Sequence, residues 1–143
     1  MKGIFLGIMF FFVLNCVQVK QEPPKKIVKI KDSIVNVELA QTPSQRQTGL
    51  MFRTNMLTNQ GMLFIFDKPE VPSFYMKDTL IPLDILFVNS KGKVVSIQSM
   101  APLNEIKLYS PDEPIIWALE VNLGWAKKHK IQIGDKVYLR SKK

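Results

Sequence analysis

The sequence predicts a mainly β fold, a small β-barrel or sandwich-like domain with one or two short helices. Three observations carry that prediction. Seven or so short apolar segments follow one another, some with side chains alternating at period two. Turn residues stand between them, as in Asn89-Ser90-Lys91-Gly92-Lys93 and at Pro102, Pro111 and Pro114. Helix signals are confined to one capped start and one short turn. At 143 residues there is room for a single domain, and no internal repeat divides it.

The elements are read in order. Val35, Val37 and Leu39 lie at period two within Ser33 to Leu39, as on a half-buried strand. Thr42 then has the character of an N-cap, with Pro43 at the first helical position and Gln45 placed to complete a capping box. That helix must be short, because Gly49 follows closely. Gly61 to Phe66 (GMLFIF) is an uninterrupted apolar run and reads as a buried strand. Phe74 to Met76 is a further extended piece, and Ile81 to Val88 another strand with Pro82 near its start. The loop at Asn89 to Lys93, with Gly92 available for positive φ, leads into Val94 to Met100. Ile115 to Val121 (IIWALEV) is apolar nearly throughout, and periodicity does not decide between strand and short helix. Gly124 to Lys130 reads as a helical turn, and Ile131 to Leu139 as a strand pair around Gly134-Asp135.

Composition places the chain among folded globular proteins, with 46% hydrophobic and 22% charged residues. The N-terminal segment has its own character. Lys2 precedes an uncharged apolar run from Gly3 to Leu14, whose twelve residues would reach only ~18 Å as a helix against the ~30 Å of a bilayer core. That is the length of a signal-peptide core. The run ends at Val13-Leu14-Asn15-Cys16, which resembles a bacterial lipoprotein signal, with Asn15 where such signals usually carry Gly, Ala or Ser. The resemblance implies acylation of Cys16 and export to the periplasmic or extracellular side of a membrane. The expected organisation is therefore a signal at 1–15, an anchor and Pro-Pro-containing linker at 16–26, and one domain at 27–143. With a single cysteine, no intrachain disulfide forms.

The net charge of +8 concentrates at the two ends, from Lys20 to Lys31 and from Lys127 to Lys143. An exported protein rarely meets nucleic acid, so a solvated surface or attraction to anionic headgroups and wall polymers is the reading of that charge. The expected partners are the membrane, through the lipid anchor, and a small ligand or envelope polymer. The expected state is a monomer without a cofactor.

Five blocks in order carry a resemblance to a known family. They are Gly49-Leu50-Met51-Phe52-Arg53, Gly61 to Phe66, Ser73-Phe74-Tyr75-Met76-Lys77-Asp78-Thr79, Ile81-Pro82-Leu83-Asp84-Ile85 and Ala118-Leu119-Glu120. Together they resemble the domain of unknown function 192 (DUF192) family over about Val35 to Leu139. The usual aromatic block of that family is Phe-Trp-Met-Lys-Asn-Thr, where this chain has Tyr75 and Asp78 for the Trp and Asn. The resemblance implies a compact β domain, often exported, and no established activity.

Charged groups set among apolar residues are the candidate site: Arg53, Lys77, Asp78, Asp84 and Glu120. Such groups are costly to bury unless paired. One expectation is an internal ion-pair network, for example Arg53 with Asp84 or Glu120. The other is a polar site at one end of the barrel that binds a small anionic or sugar-like ligand. Asp78, Asp84 and Glu120 could also supply a carboxylate pair for hydrolysis of glycans or wall polymers, if two stand roughly 5–10 Å apart across a cleft. No serine-nucleophile elbow, phosphate-cradling loop or metal-ligand spacing occurs. His129, among Lys127, Lys128 and Lys130, reads as a solvated helix residue. Met51, Met56, Met62, Met76 and Met100 read as core filler, with Met51, Met62 and Met76 the only set worth weighing for a soft metal.

Overall fold

The computed structural model describes residues 26–141. The expected signal, Cys16 and all but the last residue of the linker lie outside the described residues. Within them the chain forms β1 (Lys26–Ile30), β2 (Ser33–Ala40), α1 (Pro43–Thr48), β3 (Gln60–Glu70), β4 (Leu83–Val88), β5 (Val94–Met100), β6 (Ile115–Asn122), α2 (Trp125–Lys128) and β7 (Val137–Ser141). The strands make one seven-stranded sheet in the order β5-β4-β6-β3-β2-β1-β7. Neighbours are antiparallel except β2 and β3, whose parallel pairing requires the crossover that carries α1.

The mainly β fold is the one the sequence predicts, and it is sandwich-like, not a closed barrel. The sheet's two edges approach at one corner. There Lys93 bridges Lys136, the Val94 N–H donates to the Asp135 carbonyl, and the Val137 N–H donates to the Gly92 carbonyl.

Both faces of the sheet are covered, so two cores form. Val28, Val35, Leu63, Leu86 and Leu119 build one, closed by Trp125 and Ala126 of α2. Met62, Phe64, Ile85, Phe87 and Ala118 build the other, closed by loop residues Leu50, Met76, Ile81 and Tyr109. All six residues of β4 are buried, which explains its unbroken Leu-Asp-Ile-Leu-Phe-Val reading. The same holds for most of β6, and its place between β3 and β4 resolves the ambiguity of Ile115 to Val121 in favour of a strand.

Two parts of the chain differ from the sequence reading. β1 was hidden by its lysines: Lys29 points outward between inward Val28 and Ile30, and Lys26, on the same face as those two, is half-buried at the strand's start. Ile131 to Leu139 is not a strand pair. Residues 131–136 form a turn held by the Asp135 carboxylate accepting from the Gln132 N–H at 2.7 Å, with Gly134 at φ +95°. The strand begins only at Val137, because its partner is β1 and not its own preceding residues. The extended piece at Phe74 is a single reciprocal bridge to Tyr109.

Candidate functional site

The site is built where α1 crosses over β3. The capping box forms as its spacing predicts: the Thr42 hydroxyl accepts from the Gln45 N–H at 3.2 Å, and the Gln45 side-chain carbonyl accepts from the Thr42 N–H at 3.0 Å. This fixes the rotation of a six-residue helix and places Arg46 in its last turn. The Arg46 guanidinium lies over the Phe66 ring at 5.2 Å. Its Nη1 donates to the carbonyls of Gln41 and Ile65, the latter at 2.9 Å. Nε and Nη2 have no acceptor among the described residues, so one edge of the guanidinium fork is uncommitted.

Glu120 forms part of the floor. It stands on β6 opposite Met62 of β3 and Ile85 of β4, on the face of the second core. Its residue surface is only 6% exposed, and among the described residues nothing hydrogen-bonds or pairs with its carboxyl. Burial pushes that carboxyl up to about 8, so it is chiefly the neutral acid at pH 7. Glu120 and Arg46 line the same cleft, about 210 Å³ in volume, with Phe64, Phe66, Phe74 and Tyr75 as its aromatic wall. Phe74 meets Phe64 edge-on at 5.0 Å and Phe87 at 5.7 Å, which holds the wall in one arrangement. A neutral carboxylic acid donates one O–H and accepts through the other oxygen, and the free guanidinium edge donates two N–H groups.

The other predicted residues go elsewhere. Arg53 pairs with neither Asp84 nor Glu120. It meets Glu38 of β2 through both guanidinium nitrogens at 2.5 and 2.6 Å, at the surface. Asp84 faces the opposite core from Glu120 and has no cation beside it among the described residues. Its carboxylate accepts from the Ser99 hydroxyl at 2.9 Å and from the Ala126 N–H at 3.2 Å, capping α2 in place of Gly124, which has no side chain to do so. Lys77 is exposed. Asp78 holds φ +51° at a turn where its backbone carbonyl accepts from the Phe52 N–H, a conformation that Asn and Asp tolerate better than most residues. Of the three carboxylates weighed as a catalytic pair, Asp84 faces the other side of the sheet from Glu120, and among the described residues Glu120 is the one carboxyl that lines the cleft. His129 is half-buried, not solvated: its ring stacks on Trp125 at 4.5 Å, and Nδ1 lies 2.9 Å from the Ser33 hydroxyl. Met62, Met76 and Met100 are core, while Met51 borders the cleft. Arg46 was missed, although it is the only charge between Leu39 and Phe52.

A family model, DUF192, described as an uncharacterised ACR, matches residues 26–139. The chain belongs to the DUF192 family. A UPF0127 protein of Pyrococcus abyssi is 29% identical over 108 residues, 71% of this chain and 83% of the relative. Two solved structures share the DUF192 fold seen here. A Sinorhizobium meliloti protein, named as a proposed transcription regulator, is 33% identical with a TM-score of 0.76, over 82% of this chain and 96% of that one. A protein of unknown function from Novosphingobium aromaticivorans is 34% identical with a TM-score of 0.74, over 80% and 83%. Among the described residues of this DUF192 domain, no helix is long and apolar enough to cross a membrane.

Proposed function

We propose that this chain is an exported envelope protein, held at a membrane by acyl chains on Cys16, whose DUF192 domain is a non-catalytic monomeric module that binds a small ligand in the Glu120 cleft. The observation that carries the binding role is a largely buried carboxyl on a central strand that lines the cleft and has no partner among the described residues. A group serving only the fold would be paired or replaced at lower cost by an apolar residue of similar shape. Glu120 lines one cleft with Arg46, whose guanidinium has one uncommitted edge, and with an aromatic wall, which suits a guest with both polar and apolar parts. Export and anchoring are supported by Lys2, the short apolar run and Cys16 at its end. The six- and four-residue helices are short for reading a major groove, which supports a reading without nucleic acid.

A panel of polar ring fragments, followed by amide chemical shifts in the full chain, tests the cleft. Binding there moves the amides of Arg46, Gly49, Leu50, Phe74 and Tyr75 together. Shifts scattered over the surface, or none, contradict it. The anchor is tested separately: the chain incorporates labelled fatty acid and Cys16→Ala does not, whereas labelling that survives the substitution refutes acylation at Cys16.

A further inference from the structure

The cleft offers donors in excess. Arg46 uses Nη1 on two backbone carbonyls and leaves Nε and Nη2 free, and the Glu120 carboxyl has no partner among the described residues. We infer that the guest is a small organic monocarboxylate, its two oxygens taken by the free edge of Arg46 and by the O–H of Glu120, its body laid against Phe64, Phe66, Phe74 and Tyr75. This inference rests on reading the Glu120 cleft as a binding site.

Charge decides between the candidate classes. The titratable groups lining the cleft are Arg46 from α1, Tyr75 from the loop after β3, and Glu120 from β6; β3 contributes Phe64 and Phe66, and the remaining walls carry the Gln47 amide, hydroxyls and apolar groups. One cation and one neutral acid are balanced by a single negative charge. A dianion such as a phosphate monoester leaves one charge unpaired against aromatic rings, which is costly where water is partly excluded. An organic cation meets the like charge of Arg46. A neutral guest leaves the guanidinium edge without the planar acceptor that its geometry matches. The volume, about 210 Å³, admits one ring or a short chain.

The arrangement also makes binding sensitive to pH in a stated direction. Ionised Glu120 would repel a carboxylate, so the guest binds the protonated form. With burial holding Glu120 at about 8, affinity is level near neutrality and falls above it, by about tenfold between pH 7 and pH 9.

Calorimetric titration of the full chain with four probes sharing one ring tests this: benzoate, benzamide, benzylammonium and phenyl phosphate. The expected result is benzoate at least tenfold tighter than each of the other three, weakening about tenfold from pH 7 to pH 9. In Glu120→Gln the pH dependence disappears while benzoate still binds, and in Arg46→Lys affinity drops at least tenfold because a point charge replaces the fork. The wild-type probe and pH series stands even if a variant fails to fold. Benzamide, benzylammonium or phenyl phosphate binding in the cleft as tightly as benzoate overturns the carboxylate assignment and leaves the cleft a binding site. Benzoate affinity that rises with pH, or benzoate silence alongside fragment hits in the cleft, does the same. Silence in both experiments overturns the binding role as well.

Discussion

Replacing Glu120 with Gln isolates the cost of holding that carboxyl in the fold. The carboxyl titrates at the ordinary 4.5 when unfolded and at about 8 when folded. Between those values the native state keeps a proton that the unfolded chain has released, so wild-type stability falls as pH rises through the window. At ~1.36 kcal/mol per unit, the gap of roughly 3.5 units amounts to about 5 kcal/mol above pH 8, and about 3 kcal/mol of it is present at pH 7. Gln has nearly the same shape and does not ionise, so it escapes this term. Urea denaturation of both proteins across the pH range, followed by the fluorescence of buried Trp125, reads the difference. Relative to wild type, Glu120→Gln should gain about 3 kcal/mol between pH 4 and pH 7 and about 5 kcal/mol by pH 9, a large share of the ~5–15 kcal/mol of such a domain. Any fixed offset from the amide cancels in that slope. Two stability curves that run parallel from acid to alkaline pH would refute the reasoning, because Glu120 would then be ionised and accommodated in the fold.

Other substitutions test the frame around the cleft. Asp84→Asn keeps one acceptor and turns an NH₂ toward a group that donates, so denaturation should show a loss of ~1–3 kcal/mol and hydrogen exchange at Ala126 should accelerate. A methyl at Gly61 collides with the Glu120 backbone carbonyl and presses on Val35 and Val121. Gly61→Ala should therefore cost ~1–3 kcal/mol and shift the β3–β6 amides, whereas wild-type stability would show that the strands part freely. Arg53→Ala removes a pair whose side chains are 34% and 47% exposed, so it should cost less than ~1 kcal/mol, and less again in high salt.

What the sequence disclosed depends on how local the physics is. The capping box at Thr42 and Gln45 spans three residues and was legible, as was the apolar run that becomes β3. β1 was not, because five residues with two lysines carry too weak an alternation to be told from a basic tail. β6 was legible as an element and not as a type, since a strand buried on both faces shows no period. Glu120 could be picked out as a charge in an apolar setting, but its lack of a partner among the described residues follows only from the register that places Met62 and Ile85 beside it. The parallel crossover from β2 to β3 brings Arg46 to the cleft from seventy-odd residues away, and no spacing in the chain announces that. The expected Arg53 pairing failed for a similar reason. The chain leaving α1 turns back toward β2, where Glu38 projects from the exposed side, while Asp84 and Glu120 face opposite cores.

The binding role of the cleft depends on one carboxyl being kept neutral at its floor. Carboxyl carbon resonances of glutamate, recorded in the full chain from about pH 3 to pH 10 and assigned with Glu120→Gln, measure it directly. The structure predicts a Glu120 midpoint near 8. A Glu120 midpoint near the ordinary 4.5 would contradict the account, leaving the cleft with an ionised group and no reason to await an acid from outside.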